Sequence, residues 1–388
     1  MRLEDICKVF TDGDWIESKD QSSEGIRLVQ TGNIGEGKYL DKQDRAKYIS
    51  EETFDNLKCT EIFPGDILVS RLPEPVGRAC IIPVKEERMI TAVDCTICRP
   101  DENVVLKEYL CYFMQSEAYY TRLMNNVTGT TRKRISRKNL GNVELNIPNK
   151  ETQAAVVEKL NILSHVIDSR KEELEKLDEL IKARFVEMFG DETNPYNWPV
   201  VNVEEVANVS VGVVIKPAQY YTNAEHGVKA FRSLNIGPMT IKDSDWVYFS
   251  REGNVKNAKS QLKENDLLIV RSGAPGTACV VPKQYEGCNA IDIIIARPNT
   301  ERINPYYLCA YTNMPHGKRQ IEEGTGGAAQ QHFNVGKYNK LRLMLPPMDL
   351  QKEFVEFVAQ VDKSKVAVQA ALDKAQLLFD SLMQEYFG

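Results

Sequence analysis

The sequence predicts an α+β protein: two repeated α/β lobes separated by two long antiparallel helices that form a coiled coil, the whole with pseudo-two-fold symmetry. Three observations predict it. Two long stretches, Glu151 to Phe189 and Asp349 to Phe387, contain neither Pro nor internal Gly. Each follows a similar word, Leu-Asn-Ile-Pro at 145–148 and Leu-Met-Leu-Pro at 343–346, and each ends in Phe-Gly. The repeat extends into the intervening sequence, so the plan is lobe, rod, lobe, rod.

The length of the two rods is the clearest signal in the chain. A Gln stands near the start of each, Gln153 and Gln351, and a constant offset of 198 superimposes the two. Such length without breakers argues a long or coiled-coil helix. In the first, Val156, Leu160, Leu163, Ile167, Leu174, Leu177, Ile181 and Met188 recur at spacings of about three and four. In the second, Phe354, Val358, Val361, Val368, Leu372, Ala375, Phe379, Leu382 and Tyr386 keep the same frame. Such a stripe is a seam for another helix. At about 1.5 Å per residue each rod reaches roughly 55–60 Å. Two rods of equal length, each following a globular stretch, favour an intramolecular spacer over two ordinary core helices.

The lobes repeat in the same order. Asn33-Ile34-Gly35 answers Asn235-Ile236-Gly237, and Gly65-Asp66-Ile67-Leu68 with Arg71 answers Asn265-Asp266-Leu267-Leu268 with Arg271. Gly77 and Cys80 answer Gly276 and Cys279, while Arg99-Pro100 answers Arg297-Pro298. Strands are predicted over Asp66–Ser70, Cys80–Val84 and Cys95–Cys98, and over Asp266–Val270, Cys279–Pro282 and Ile293–Ala296. One helix then follows in each lobe, Tyr109–Met124 and Tyr306–Glu322. A shared framework with divergent loops suits one recognition scaffold carrying two specificities.

Composition narrows the class. The 388 residues suffice for two or three domains. A hydrophobic content of 42% with 27% charged residues is that of a soluble globular protein. The start, Met1-Arg2-Leu3-Glu4-Asp5, has no apolar core of a signal peptide, and no stretch approaches a membrane span. The nine Cys then point to reduced, mostly buried thiols and a cytoplasmic protein. The net charge of −6 is carried by the rods, with nine acids and six bases in the first and seven and four in the second. The lobes are formally neutral together, so a basic face on one of them is compatible with phosphate binding.

Several chemical motifs dissolve against the repeat. Cys95-Thr-Ile-Cys98 has C-x-x-C spacing, but its counterpart is Ile293-Ile-Ile-Ala296, which favours buried strand cysteines. The His residues at 165, 226, 316 and 332 are scattered and form no H-E-x-x-H, so a zinc hydrolase is not indicated. Glu17-Ser-Lys19 and Glu36-Gly-Lys38 have nuclease-like E-x-K spacing but do not recur. No G-x-x-x-x-G-K-[ST] loop is present. Asn194-Pro-Tyr196 lacks the second Pro and the Gly-rich cofactor loop of an amino-methyltransferase. No catalytic, metal or cofactor site emerges.

The positive chemistry lies in one loop per lobe, just before each rod. The first runs Gly129-Thr130-Thr131-Arg132-Lys133-Arg134-Ile135-Ser136-Arg137-Lys138, five bases without an acid. These suit phosphate contacts or guanine reading, the plainer reading being a solvated loop. The second, from Gly324, carries Gln330, Gln331, His332 and Asn334; Gln330, Gln331 and Asn334 offer the paired donor and acceptor that adenine's major-groove edge accepts. Candidate DNA-binding residues are therefore Arg71, Thr130, Arg132, Lys133, Arg134, Arg137 and Lys138 in the first lobe. In the second they are Arg271, Gln330, Gln331, His332 and Asn334. For Arg71 and Arg271, each at a strand exit, a structural ion pair is an equal alternative.

This arrangement resembles the specificity (S) subunit of type I restriction–modification systems. The resemblance is carried by the Asp66 and Asp266 strand words, Arg71 and Arg271, and the Gly-Thr loops at 129 and 324. Ile147-Pro148 with Gln153 and Leu345-Pro346-Pro347 with Gln351 complete it, the first lacking the double Pro. It implies a target-recognition domain 1 at 1–150, a spacer helix at 151–190, a target-recognition domain 2 at 191–348 and a second spacer at 349–388. It further implies that each lobe reads half of a bipartite double-stranded DNA site. The rods would set the gap and carry two methyltransferase (modification) subunits, with restriction/translocase subunits joining. S-adenosylmethionine, ATP and Mg would belong to those partners, leaving this chain non-catalytic and without a cofactor. A stand-alone DNA-binding protein and a coiled-coil protein-interaction scaffold are the other classes.

Overall fold

The computed structural model describes residues 1–129, 133–325 and 333–388. They fall into two compact units, residues 1–171 with 369–388 and residues 172–368. Each unit therefore holds one lobe and a portion of both long helices.

The rods form as their sequences dictate, over Lys150–Phe189 and Met348–Phe387, 40 residues each. In the first unit Val156 and Leu160 share a core with Met383 and Phe387. In the second unit Ile181, Phe185 and Phe189 share one with Phe354, Val358 and Val361. Polar pairs flank the second seam: Lys365 Nζ lies 2.6 Å from Asp178 Oδ1, and Arg184 Nη2 2.8 Å from Glu353 Oε1. As the number rises on one helix it falls on the other, so the pairing is antiparallel. Ile167, Val361 and Val368 are buried as the apolar spacing predicts, whereas Leu163, Leu174 and Leu177 are half-buried.

The helix ends add residues outside the predicted frame. Phe185, Phe189, Met383 and Phe387 are buried because they pack there against a lobe as well as against the partner helix. Phe387 packs 5.1 Å from the Tyr109 ring in the first unit, and Phe189 packs 4.9 Å from Tyr307 in the second. These are equivalent contacts made reciprocally: each rod starts from the lobe immediately before it and ends on the other. Gly190 accommodates the turn off the first rod at φ 85°, a left-handed conformation that favours glycine.

Each lobe has two main sheets. In the first lobe an antiparallel sheet runs in the order Cys7–Asp12, Cys95–Pro100, Ile67–Ser70, Ala79–Ile81. The second lobe repeats it with Ala207–Val211, Ile293–Pro298, Leu267–Val270 and Ala278–Val280. The central strands 67–70 and 267–270 are buried at every position, which is why they read as near-continuous apolar runs, interrupted only by Ser70, instead of an alternating pattern. The other main sheet of each lobe contains one parallel pair, 26–29 with 89–91 and 227–231 with 289–290. Its edges differ: 61–62 is added in one lobe and 221–222 in the other.

The single helix predicted after the third strand is in fact two in each lobe, Lys107–Phe113 with Glu117–Met124, and Pro305–Asn313 with Pro315–Thr325. In the first lobe Ser116 restarts the helix by accepting from the Tyr119 N–H. In the second, Pro315 cannot supply the N–H that a continuous helix needs.

The repeated words are the scaffold's internal bonds. Asp66, 2% exposed, accepts from Arg99 Nε and Nη2 at 2.7 and 2.8 Å and from the Phe63 N–H at 2.8 Å. Asp266 repeats this with Arg297 and the Lys263 N–H. Bidentate pairing of this kind compensates a carboxylate removed from water. Asn33 and Asn235 each brace a turn, accepting from the Gln30 and Arg232 N–H groups. Gln153, fully buried, accepts from the Leu106 N–H at 2.8 Å and donates to the Val104 and Pro148 carbonyls. Gln351 accepts from the Asn304 N–H and donates to the Pro346 carbonyl, both at 2.8 Å. The two glutamines thus anchor each rod to the lobe before it.

Candidate nucleic-acid interface

In the first lobe the loop that follows the paired helices is tied back to the central strand. Thr128 and Arg134 exchange two backbone hydrogen bonds of 2.9 Å, and the buried Ile135 donates its N–H to the Arg71 carbonyl. Ser136 then caps the short helix Arg137–Gly141. This places Arg71, Lys133, Arg134, Arg137 and Lys138 around the exits of two strands. Thr130 and Arg132 lie outside the described residues.

Two carboxylates organise these cations. Arg134 Nη2 lies 2.7 Å from Asp94 Oδ1, while Arg71 Nη2 and Arg137 Nη1 lie 3.4 and 3.7 Å from Asp12 Oδ2. Arg71 is 5% exposed and also donates to the Val93 carbonyl at 2.6 Å. Burial lowers its pKa, with Asp12 opposing, so it is held beneath the surface as a structural ion-pair partner. Lys133, Arg134, Arg137 and Lys138 are exposed. Three arginines thus share two carboxylates, and residues 133–138 themselves carry four cations and no acid on a chain of net −6. Such a patch favours phosphate even though the chain as a whole is acidic.

The second lobe builds the same frame with different chemistry. Phe333 donates its N–H to the Arg271 carbonyl at 3.2 Å, as Ile135 does to Arg71. Arg271 Nη1 pairs with Asp292, and its Nε donates to the Phe333 carbonyl. Asn334 occupies the place of Ser136 and caps the helix Val335–Asn339, its Oδ1 accepting from the Lys337 N–H at 3.0 Å. That oxygen serves the helix, so a base edge would have to compete for it. Gln330, Gln331 and His332 lie outside the described residues.

Sequence reasoning missed the acidic partners Asp12, Asp94 and Asp292, because they are remote in the chain from the cations they hold. The repeat did contain a weak signal: Asp94 and Asp292 close the matching words Ala92-Val93-Asp94 and Ala290-Ile291-Asp292.

The other motifs are structural. Cys95 and Cys98 face different cores of the first lobe, so they do not converge. All nine thiols are free and eight are buried; burial pushes the Cys95, Cys111 and Cys279 thiols up to about 12. Lys19 pairs with Glu17 at 2.8 Å, and Lys38 with Asp168 at 2.5 Å. Among the described residues no group of three or more His, Cys, Asp or Glu could hold a metal ion. Nor is any described helix long and apolar enough to cross a membrane.

Comparison with known proteins agrees with the repeated plan. The family model for the type I restriction modification DNA specificity domain matches residues 1–179 and again 191–375. The chain is 22% identical over 389 residues to the EcoKI specificity subunit of Escherichia coli, covering 93% of this chain and 82% of that subunit. It is 20% identical over 297 residues to the Escherichia coli EcoBI specificity subunit, 69% of this chain and 63% of that one. Its fold is similar to the crystal structure of the type I restriction–modification S subunit from M. genitalium. There the TM-score is 0.56 at 14% identity, with 100% of this chain and 95% of that one covered. With the model matched twice across nearly its whole length, the chain belongs to the type I restriction–modification DNA specificity family.

Proposed function

We propose that this chain is the sequence-reading subunit of a type I restriction–modification complex, and that each lobe reads one half of a bipartite double-stranded DNA target. One observation carries the reading. The strand-exit arginines, the anchoring residues Ile135 and Phe333, and the capping residues Ser136 and Asn334 are equivalent, whereas the loops they hold differ in chemistry. A scaffold kept constant beneath a variable surface is what two half-sites of unlike sequence require. Phosphate contacts position such a surface and base contacts specify it.

In this role the rods fix the separation of the half-sites and present two methyltransferase subunits to the DNA, with restriction and translocase subunits joining the assembly in the cytoplasm. The chain contributes recognition and no bond-making step. S-adenosylmethionine, ATP and Mg serve the partner subunits. The family assignment and the reciprocal packing of rods on lobes support this division of labour.

The test is genome-wide mapping of methylated adenine in cells that express the chain with its neighbouring methyltransferase, against cells lacking only the chain. A split motif of two short halves with a fixed gap, lost on deletion, is the expected outcome. A map unaffected by deletion would refute the reading.

A further inference from the structure

Near the strand exits each lobe presents an exposed apolar tip. Trp15 is 70% exposed in the first lobe; Val214 and Ile215 are 51% and 79% exposed in the second. They occupy equivalent ground. Gly13 and Asp14 donate their N–H groups to the Cys95 and Thr91 carbonyls, and Gly212 and Val213 donate theirs to Ile293 and Ala290. In return Asp14 accepts from the Val93 N–H, and Val213 from the Asp292 N–H. The backbone beneath each tip is therefore pinned by three hydrogen bonds to the strand exits that carry Asp94 and Asp292.

The tips also adjoin the cations. Val93 is the residue whose carbonyl accepts from Arg71, and Asp94 holds Arg134. In the second lobe Asp292 holds Arg271, and the exposed Lys216 follows Ile215. A large apolar group in water on a pinned turn costs solubility and gives the fold nothing in return. Beside cations that attract phosphate, it stands where a base pair would approach.

We propose that Trp15 in the first lobe, and Val214 with Ile215 in the second, make apolar contacts to base pairs and help set the specificity of the two half-sites. This rests on the DNA-reading function proposed above. The chemistry of the two tips differs. An aliphatic tip fits the thymine methyl group in the major groove. The flat indole of Trp15 suits either a base face or the same methyl edge. Its Nε1, 3.3 Å from Glu17 Oε1, is already turned to a protein acceptor. The ring therefore acts through its apolar surface.

The experiment uses the full chain co-expressed with its methyltransferase. Three variants, Trp15→Ala, Trp15→Phe and Val214→Ser with Ile215→Ser, are compared with the parent by methylated-adenine mapping and by thermal unfolding of the purified chain. Trp15→Ala is expected to relax the consensus, or cut methylation at least fivefold at sites of one base composition, in one half-site only. Trp15→Phe should retain more of the parental consensus, and the double Ser variant should alter the other half-site only. Folding should be unaffected, because the side chains are exposed. Unaltered consensus and methylation in both the Trp15→Ala and double Ser variants overturns the proposal. A uniform fall in methylation at an unaltered consensus also overturns it, in favour of a contact with a partner subunit. If the parent itself yields no split motif, the failure lies with the DNA-reading function.

Discussion

Gln153 and Gln351 show how one side chain sets the junction between lobe and rod. Replacement of Gln153 by Leu leaves the Leu106 N–H and the Val104 and Pro148 carbonyls without their partner. Unsatisfied buried groups cost about 1–3 kcal/mol each, so with three of them a loss of at least about 3 kcal/mol is expected in denaturant unfolding. Gln351→Leu should cost less, since it breaks two such bonds instead of three. At the proposed interface, Lys133→Ala and Arg137→Ala should weaken DNA binding for all sequences alike. Each should also reduce the salt slope of log K by about 1 if it removes a phosphate contact. Arg71→Ala is different in kind: it removes a buried ion-pair partner, so stability should fall together with binding. Thiol labelling checks the burial directly: at pH 8 iodoacetamide should modify half-buried Cys7 first and reach the other eight only after unfolding.

At the scale of elements, the long helices and the central strands were legible because each depends on a local pattern. The rods advertise themselves by apolar spacing and the absence of Pro and Gly. The strands at 67–70 and 267–270 do so by the aliphatic runs Ile67-Leu68-Val69 and Leu267-Leu268-Ile269-Val270. The broken helices after them were not legible as such, since Ser116 and Pro315 act through capping and a missing N–H within otherwise helical sequence. Phe189 and Phe387 were visible only as a repeated Phe-Gly ending. That they bury against Tyr307 and Tyr109 depends on which lobe each rod reaches, which no local pattern encodes. Removing either ring to Ala should cost about 3–5 kcal/mol. Phe387→Ala should loosen the first unit, which thermal unfolding followed by hydrogen exchange would localise to the helices around Tyr109. Equal loosening of both units would contradict the assignment.

At the scale of the whole molecule, the duplication made the plan legible: a repeat reveals scaffold by what it keeps and specificity by what it changes. The kept residues, Asp66 and Arg99 with Asp266 and Arg297, proved to be internal ion pairs. The interface was harder to read because Asp12 and Asp94 reach their arginines only through tertiary contacts. If the rods set the gap between half-sites, matched seven-residue insertions after Lys171 and after Val368 preserve the heptad frame. They should widen that gap by about 3 base pairs, from roughly 1.5 Å per residue of helix and 3.4 Å per base pair. An unchanged gap in the methylation map would refute the spacer role. Whether the two lobes read independently is decided by a lobe exchange. Residues 1–150 would be replaced by the corresponding lobe of another family member of known target, and adenine methylation mapped in the same cells. Independent reading yields a hybrid motif in which one half takes the donor's sequence and the other is unchanged. A stable hybrid protein that leaves both halves as they were, or alters both, would contradict it.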